Sequence, residues 1–388
     1  MRVVADARTL SAVLGACSNV IPTRTPLQVY TNVMLDADAK EKRFEVLVAR
    51  DGSLLRWYVP GVDVQRSGRV VVPPGRFADL IAGILGDVTL TFMKGDDGLM
   101  LSSVPFFEAF ITVKHDESEF PWAPPPDLGE LPYVVVDRAE FLRLADLCYS
   151  GSRGAKEIRY VMDGVTFWPV LGKKVAAIEI VGSDGRTLVR SKLPCTVVGE
   201  LKERSCASPS LLHNSFVRVL DAVFGSDPSE TICLAPGADA VVLKTARSSL
   251  RSACGNGSYP DYQDIFKKAL RGSPVAFDVV ASDFVHCLRV ASICCNPEAP
   301  TVEVVLGEGT LTASSVMVGE LSVGLSRHEM PIAIDGGGVK FRISPKTFFS
   351  VANALKEASM IKISVNLQKH LAFFSCEDIS IDGVLVLL

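Results

Sequence analysis

Along this chain, short apolar runs end in a polar residue. Each then opens into a segment whose apolar positions recur every three or four places. Val3-Val4-Ala5-Asp6 leads into residues 7–20, Tyr133-Val134-Val135-Val136-Asp137 into 138–149, and Val275-Ala276-Phe277-Asp278-Val279-Val280 into 281–294. A short run of this kind predicts a strand, and the longer spacing predicts an amphipathic helix. In the second segment Phe141, Leu144, Ala145 and Cys148 fall at i, i+3, i+4 and i+7; Phe284, Cys287, Leu288 and Ala291 repeat the stripe in the third. Asp6, Asp137 and Ser282 stand where helix N-caps belong.

A second trio follows the same logic. Val70-Val71-Val72-Pro73-Pro74 predicts a helix over 76–85 and a strand over 88–92. Ser208-Pro209 predicts a helix running through 224 and a strand over 231–234. Ser344-Pro345 predicts a helix through 358 and a strand over 361–365. Proline suits a first helical turn because its missing N–H has no intrahelical partner there. Arg76 to Arg218 is 142 residues and Arg218 to Lys346 is 128, each about the size of one compact domain. Alternating segments at 43–48, 165–168, 238–244 and 301–305 read as antiparallel strands with one face covered. The expectation is an α+β protein of three repeated domains, each with two helices packed on antiparallel sheets. They span 1–128, 132–270 and 274–388, with linkers at the Pro-rich residues 121–126 and at 267–274.

Composition narrows the function. The 388 residues carry a formal charge of −4, so bulk attraction to nucleic acid is not the binding principle, although a local basic surface is compatible with it. No apolar run approaches the ~18 residues of a membrane span, and the N-terminus lacks a signal-peptide core. The ten cysteines are scattered without a C-x-x-C, which argues against zinc ribbons and disulfide frameworks and for a reducing cytoplasm. The five histidines lie at least 42 residues apart, and no H-E-x-x-H or G-x-S-x-G occurs. Gly255-Asn256-Gly257 and Gly336-Gly337-Gly338 read as turns, because neither precedes a helix with a phosphate-binding Lys. Asp96-Asp97 and Glu377-Asp378 read as solvated turn residues, and Cys294-Cys295 as helix-end packing. No cofactor, metal or catalytic constellation is expected. Repeated two-layer domains with free sheet edges instead suit a binding or scaffold role, and joined edge to edge they close into a ring or extend as a filament.

Several segments give this architecture a family likeness. Thr23-Arg24-Thr25-Pro26-Leu27 follows the first helix, and Glu119-Phe120-Pro121 closes the first repeat. Ile158-Arg159-Tyr160-Val161-Met162-Asp163-Gly164-Val165, Ser183-Asp184-Gly185-Arg186-Thr187-Leu188 and Tyr259-Pro260-Asp261-Tyr262 follow in the second. In this order and spacing the chain resembles the bacterial sliding clamp, the beta subunit of DNA polymerase III, over nearly its whole length. The resemblance implies a head-to-tail homodimer closed into a ring around duplex DNA, which tethers the replicative polymerase as a processivity factor. An ATP-dependent clamp loader opens it. Neither polymerase nor 3'-5' exonuclease activity is expected of the chain itself. A divergent or accessory paralogue, phage-borne or serving repair, is the alternative within the family. A cytoplasmic α+β enzyme is the alternative outside it, opposed by the scarcity of histidine and of paired acid and base.

The resemblance also places three sites. DNA contacts fall on Arg24, Arg76, Arg159, Tyr160, Arg218 and Lys346, with Arg8, Arg138 and Arg289 as further cations beside the helices. A pocket for short peptides from polymerase and loader subunits is walled by Met162, Gly185, Thr187, Leu188, Pro260, Ile265 and the C-terminal Leu385 and Val386. The dimer contact uses Ile293 and Cys294 on one side and an edge within 106–111, including Phe107, on the other. The chain departs from the family pattern at Asp264, where many clamps have Arg, in the Arg186-Thr187 pair of its turn, and in the tail Leu385-Val386-Leu387-Leu388.

Overall fold

The computed structural model describes residues 1–22, 25–92, 98–103, 107–129, 131–153, 160, 162–171, 176–201, 206–255, 257–272, 275–317, 324–334, 338–355 and 357–388. Eight α-helices occur among them: α1 (Ala7–Cys17), α2 (Pro74–Ala82), α3 (Arg138–Tyr149), α4 (Asn214–Val217), α5 (Leu220–Phe224), α6 (Tyr262–Leu270), α7 (Ala281–Ser292) and α8 (Pro345–Leu355). The chain divides into two compact units. One holds Met1–Leu142, Cys195–Leu201 and Leu212–Cys254; the other holds Arg143–Pro194, Lys202–Leu211 and Gly255–Leu388.

Among the described residues, strands of the first unit fall in two antiparallel sheets. A five-stranded sheet runs in the order Asp63–Arg66, Arg2–Asp6, Asp87–Thr91, Gly98–Ser103, Phe107–Thr112, which leaves the last strand at an edge. In the other sheet Ser249–Ala253 pairs with Ser53–Tyr58, so one sheet runs through residues that the sequence assigns to the first two repeats. Helices α1 and α2 lie side by side, with the Ser11 hydroxyl donating to Ala78 O at 3.1 Å. Helix α1 starts where expected because the Asp6 carboxylate accepts from the Thr9 N–H at 2.8 Å and from its hydroxyl. Leu10, Val13, Leu14 and Cys17 form its buried stripe.

The second unit packs α7 on a four-stranded sheet ordered Arg327–Pro331, Thr310–Ser315, Val302–Leu306, Val339–Ile343. Helix α7 also packs on α8, where the Phe284 and Phe348 rings meet edge to face at 5.3 Å. The stripe Phe284, Cys287, Leu288 and Ala291 is buried as its spacing predicts. Helix α6 lies on the strands Met360–Asn366, Leu371–Cys376 and Ile381–Val386.

Three local expectations are corrected. The helix expected from Ser208-Pro209 does not form there: Leu211–His213 is a strand, and α4 and α5 follow as two short helices. His213 caps α4 from an extended backbone, accepting the Ser215 N–H on Nδ1 at 3.2 Å, and Val219 leaves the helical region at ψ 0. Ser282 is not an N-cap. Helix α7 starts at Ala281 as its segment predicts, with Val280 at the cap position, and the Ser282 hydroxyl donates to Asp283 instead, at 3.1 Å. Helix α2 begins at Pro74 rather than Arg76, with proline in the first turn.

Candidate functional site

The second unit carries a groove of about 470 Å³, built from stretches of chain that are far apart in the sequence. Its first wall is the turn at Ser183–Leu188. Asp184 accepts the backbone N–H groups of Arg186 (2.9 Å) and Thr187 (2.7 Å), which closes the turn. Gly185 takes φ +84°, a conformation that disfavours a side chain, and sits against Met162.

The facing wall is α6. Asp261 caps it by accepting from the Asp264 N–H at 3.0 Å. Tyr262, Phe266 and Ala269 point inward, while Asp264, Ile265 and Lys268 line the groove. Trp168 lies beneath, with its ring 5.9 Å from Tyr259 and 5.3 Å from Tyr262. Met162, Val181, Leu188 and Val384 join them in one buried apolar cluster. The floor is therefore apolar and packed, and the rim is polar, a combination suited to holding apolar anchors of an incoming chain.

Seven of the eight residues expected at the pocket converge here: Met162, Gly185, Thr187, Leu188, Pro260, Ile265 and Val386. Leu385 does not. Side chains alternate along the strand Ile381–Val386, so Val384 and Val386 face the groove while Leu385 turns toward Phe284, Phe348 and Phe374 on the other face. Val384, Tyr160 and Leu371 also line the groove. Val384 could have been found from the period of two in the tail.

The residues expected to contact DNA lie on several elements. Arg8 on α1, Arg76 on α2 and Arg218 at the end of α4 are exposed in the first unit; Arg289 on α7 and Lys346 on α8 are exposed in the second. The Lys346 ammonium donates to Pro297 O at 2.7 Å. Arg138 is not a free cation: its guanidinium donates to Ser229 O (2.6 Å), Phe224 O and Gly225 O (both 2.8 Å), satisfying carbonyls at and just beyond the end of α5. Tyr160 lines the groove. Arg24 and Arg159 lie outside the described residues.

At the expected dimer contact, Ile293 follows α7 with 69% of its surface exposed, and Cys294 beside it is partly exposed. Met317 (64%) and Leu325 (69%) are exposed too, and Gly324, next to Leu325, lies against the Cys294 sulfur. Neither Met317 nor Leu325 belongs to a helical stripe or an alternating strand pattern that would single it out in the sequence. In the first unit, Phe107 on the edge strand is partly buried, whereas Phe110 is 54% exposed beside Met100, its cross-strand neighbour. Phe106 lies outside the described residues.

Little in the described residues invites chemistry. Burial pushes the Cys287 thiol up to about 11 and the Cys376 thiol to about 12, so both stay protonated and poorly nucleophilic near neutrality. The His286 and His328 rings meet edge to face at 5.4 Å although they stand 42 positions apart in the sequence. Among the described residues, no three His, Cys, Asp or Glu side chains are grouped to hold a metal ion. No described helix is long and apolar enough to cross a membrane.

No family model matches the chain. Its sequence is 23% identical to the Beta sliding clamp of Chlamydia trachomatis over 331 residues, which covers 84% of this chain and 74% of that protein. It is 26% identical to the Beta sliding clamp of Synechococcus elongatus over 275 residues, 69% of this chain and 68% of that one. The C. crescentus beta sliding clamp, crystallised with a polyethylene glycol at a region described as its putative beta-motif tethering region, superposes with a TM-score of 0.82 at 16% identity. It covers all of this chain and 98% of that one. DNA polymerase III subunit beta from Pseudomonas aeruginosa gives 0.80 at 15% identity, with full coverage of both chains. A DnaN sliding clamp from Bartonella birtlesii, bound to griselimycin, gives 0.80 at 16% identity, covering all of this chain and 99% of that one. The chain thus has the fold of the bacterial sliding clamps, and over most of its length its sequence is similar to theirs.

Proposed function

We propose that this protein is a DNA sliding clamp. Two copies join head to tail into a ring of six similar domains, three from each chain at 1–128, 132–270 and 274–388. The ring encircles duplex DNA without reading its sequence and tethers a DNA polymerase in the cytoplasm. It raises processivity and performs no chemistry of its own. The observation that carries the reading is the groove: residues as far apart as Met162 and Val386 converge on one apolar floor with a polar rim, on a fold shared with clamps at a TM-score of 0.82. Polymerase and an ATP-dependent loader are its expected users, through short peptides with apolar anchors. The exposed cations of α1, α2, α4, α7 and α8 are the proposed DNA-facing set, together with Arg24 and Arg159. A few scattered cations on an acidic chain keep a duplex centred without a strongly salt-dependent grip, which would oppose sliding.

The test is topological. Protein loaded onto nicked circular duplex by a purified clamp loader should co-elute with the DNA in gel filtration and be released when the circle is cut once. Equal retention on circular and linear DNA overturns the reading.

The rim of the groove favours a second reading within the family, that of a clamp with its own partner preference. Asp264, where many clamps carry Arg, holds Lys268 one turn away at 2.6 Å, and that contact keeps its carboxyl below the usual range. The pair ties up a cation that would otherwise face the groove. Asp264→Arg frees Lys268 and adds a positive charge. A peptide with an acidic flank should then bind about fivefold more tightly in a fluorescence titration, the scale of one exposed ion pair. Equal affinities for the two proteins remove the idea.

A further inference from the structure

Beyond the groove floor, the same strand pair changes character from apolar to ionic. Leu188 stands opposite Val384, and the next pair facing α6 is Arg190 opposite Asp382. The Arg190 Nη2 and Nε lie 3.0 and 3.3 Å from Asp382 Oδ2, and Nη1 lies 3.9 Å from Glu179 Oε1. Its guanidinium also stacks on the Phe266 ring of α6, 4.0 Å from the centroid. Glu179, only 3% exposed, accepts from the Tyr262 hydroxyl of α6 at 2.6 Å and pairs with Lys192 at 3.3 Å. Two inward-facing residues of α6, Tyr262 and Phe266, are therefore held by one ionic cluster centred on the buried Glu179 and the partly buried Arg190, while the groove-facing residues of the same helix form the wall.

We infer that Arg190 is a positioning residue for the groove: it clasps α6 to the strands beneath and so fixes the wall against which a docked chain closes. The inference rests on the reading of the groove as a peptide site. Helix α6 has nine residues, too few to be stable without its packing. Ion pairs as open to solvent as Arg190–Asp382 and Lys192–Glu179 add little stability, so added stability is a poor account of this cluster. What the cluster supplies is a single seating for the helix. A binding-competent state populated only in part weakens apparent affinity in proportion, so loosening the clasp weakens binding without any loss of a contact to the ligand.

The experiment compares wild type, Arg190→Met and Arg190→Lys in the full-length protein. Methionine keeps an apolar stem over Phe266 and removes the charge, whereas lysine keeps the charge and loses the two-point contact. The probe is a short fluorescein-labelled synthetic peptide with an adjacent Leu-Phe pair, titrated by anisotropy, alongside amide hydrogen exchange. For Arg190→Met the expected result is about tenfold weaker binding. Exchange should be faster across 262–270, with α7 and α8 of the same unit protected as in wild type. Arg190→Lys should lie between. Wild-type affinity and wild-type α6 exchange in Arg190→Met overturn the inference, as does a uniform rise in exchange across the unit, which marks a purely structural residue. If wild type binds no peptide while α6 exchange still rises in Arg190→Met, the clasp stands and the peptide reading of the groove fails. If Arg190→Met does not fold, Asp382→Asn opens the same contact from the other strand and is held to the same outcomes.

Discussion

Alanine at both Ile293 and Cys294 is expected to give a folded protein that sediments as a monomer. Ile293 is 69% exposed, so its truncation removes little from the packed interior, and the melting temperature should stay near that of wild type. In the proposed ring the same side chain is an apolar anchor pressed on the edge strand Phe107–Thr112 of a second copy. Exposed apolar clusters beside a free strand edge are a liability unless an interface covers them. Ile293, Met317 and Leu325 are each exposed in the second unit, and Phe110 with its cross-strand neighbour Met100 supplies apolar surface on the edge strand of the first. A central interface anchor is worth about 2 kcal/mol. A closed head-to-tail dimer repeats the contact at both junctions, so the ring loses about 4 kcal/mol, roughly a thousandfold in its dissociation constant. Sedimentation velocity at micromolar protein reads this directly. The same variant should fail to stay on circular DNA. An unchanged dimer mass removes Ile293 and Cys294 from the contact.

How much of this was legible in the sequence depends on the kind of constraint. Stripes at helical spacing translated directly: Phe141, Leu144, Ala145 and Cys148 are all fully buried, because a helix three turns long has one way to hide four apolar residues at i, i+3, i+4 and i+7. The turn at Asp184-Gly185 was readable as well, since its conformation needs a residue that tolerates φ +84°. The misreadings share a cause, which is that tertiary partners outrank local signals. Pro209 advertises a helix start, yet Leu211 and Leu212 follow it in a strand. Arg138 has the exposure expected of a free cation only until the carbonyls after α5 arrive to occupy it. Leu385 belongs to the right strand but to its other face, and nothing short of register separates it from Val384 and Val386. The Arg190 cluster joins positions 179, 190, 192, 262 and 382, a spread without a local pattern.

The largest stability effect is expected at Arg56 in the first unit. Its side chain is 2% exposed, with Nη2 2.5 Å from Glu45 Oε2 and 3.8 Å from Asp36 Oδ2. Its Nη1 donates to Ala123 O at 2.6 Å, inside the Pro-rich segment that the sequence marks as a linker. Trp122 in the same segment donates to Asp36 at 3.3 Å and lies under the Arg69 guanidinium at 4.5 Å; Lys244 holds Pro126 O at 2.8 Å. The segment is therefore bolted to the sheet by buried charge rather than left as a tether. Arg56→Met leaves the Glu45 carboxylate, itself 2% exposed, with only Arg43 at 3.5 Å. Removing one partner of a buried pair costs about 3–5 kcal/mol, on the order of 10 °C in melting temperature for a unit this size. The double variant Arg56→Met with Glu45→Leu should be more stable than Arg56→Met alone, because it no longer strands a charge, and that sign of coupling separates an electrostatic cost from a packing defect. The double variant still lacks the bond to Ala123, so limited proteolysis near residues 121–126 should remain faster than in wild type even where the melting temperature has recovered. A single variant that melts within a degree or two of wild type would show that water reaches the cluster and that the linker is held by Trp122 and Lys244 alone.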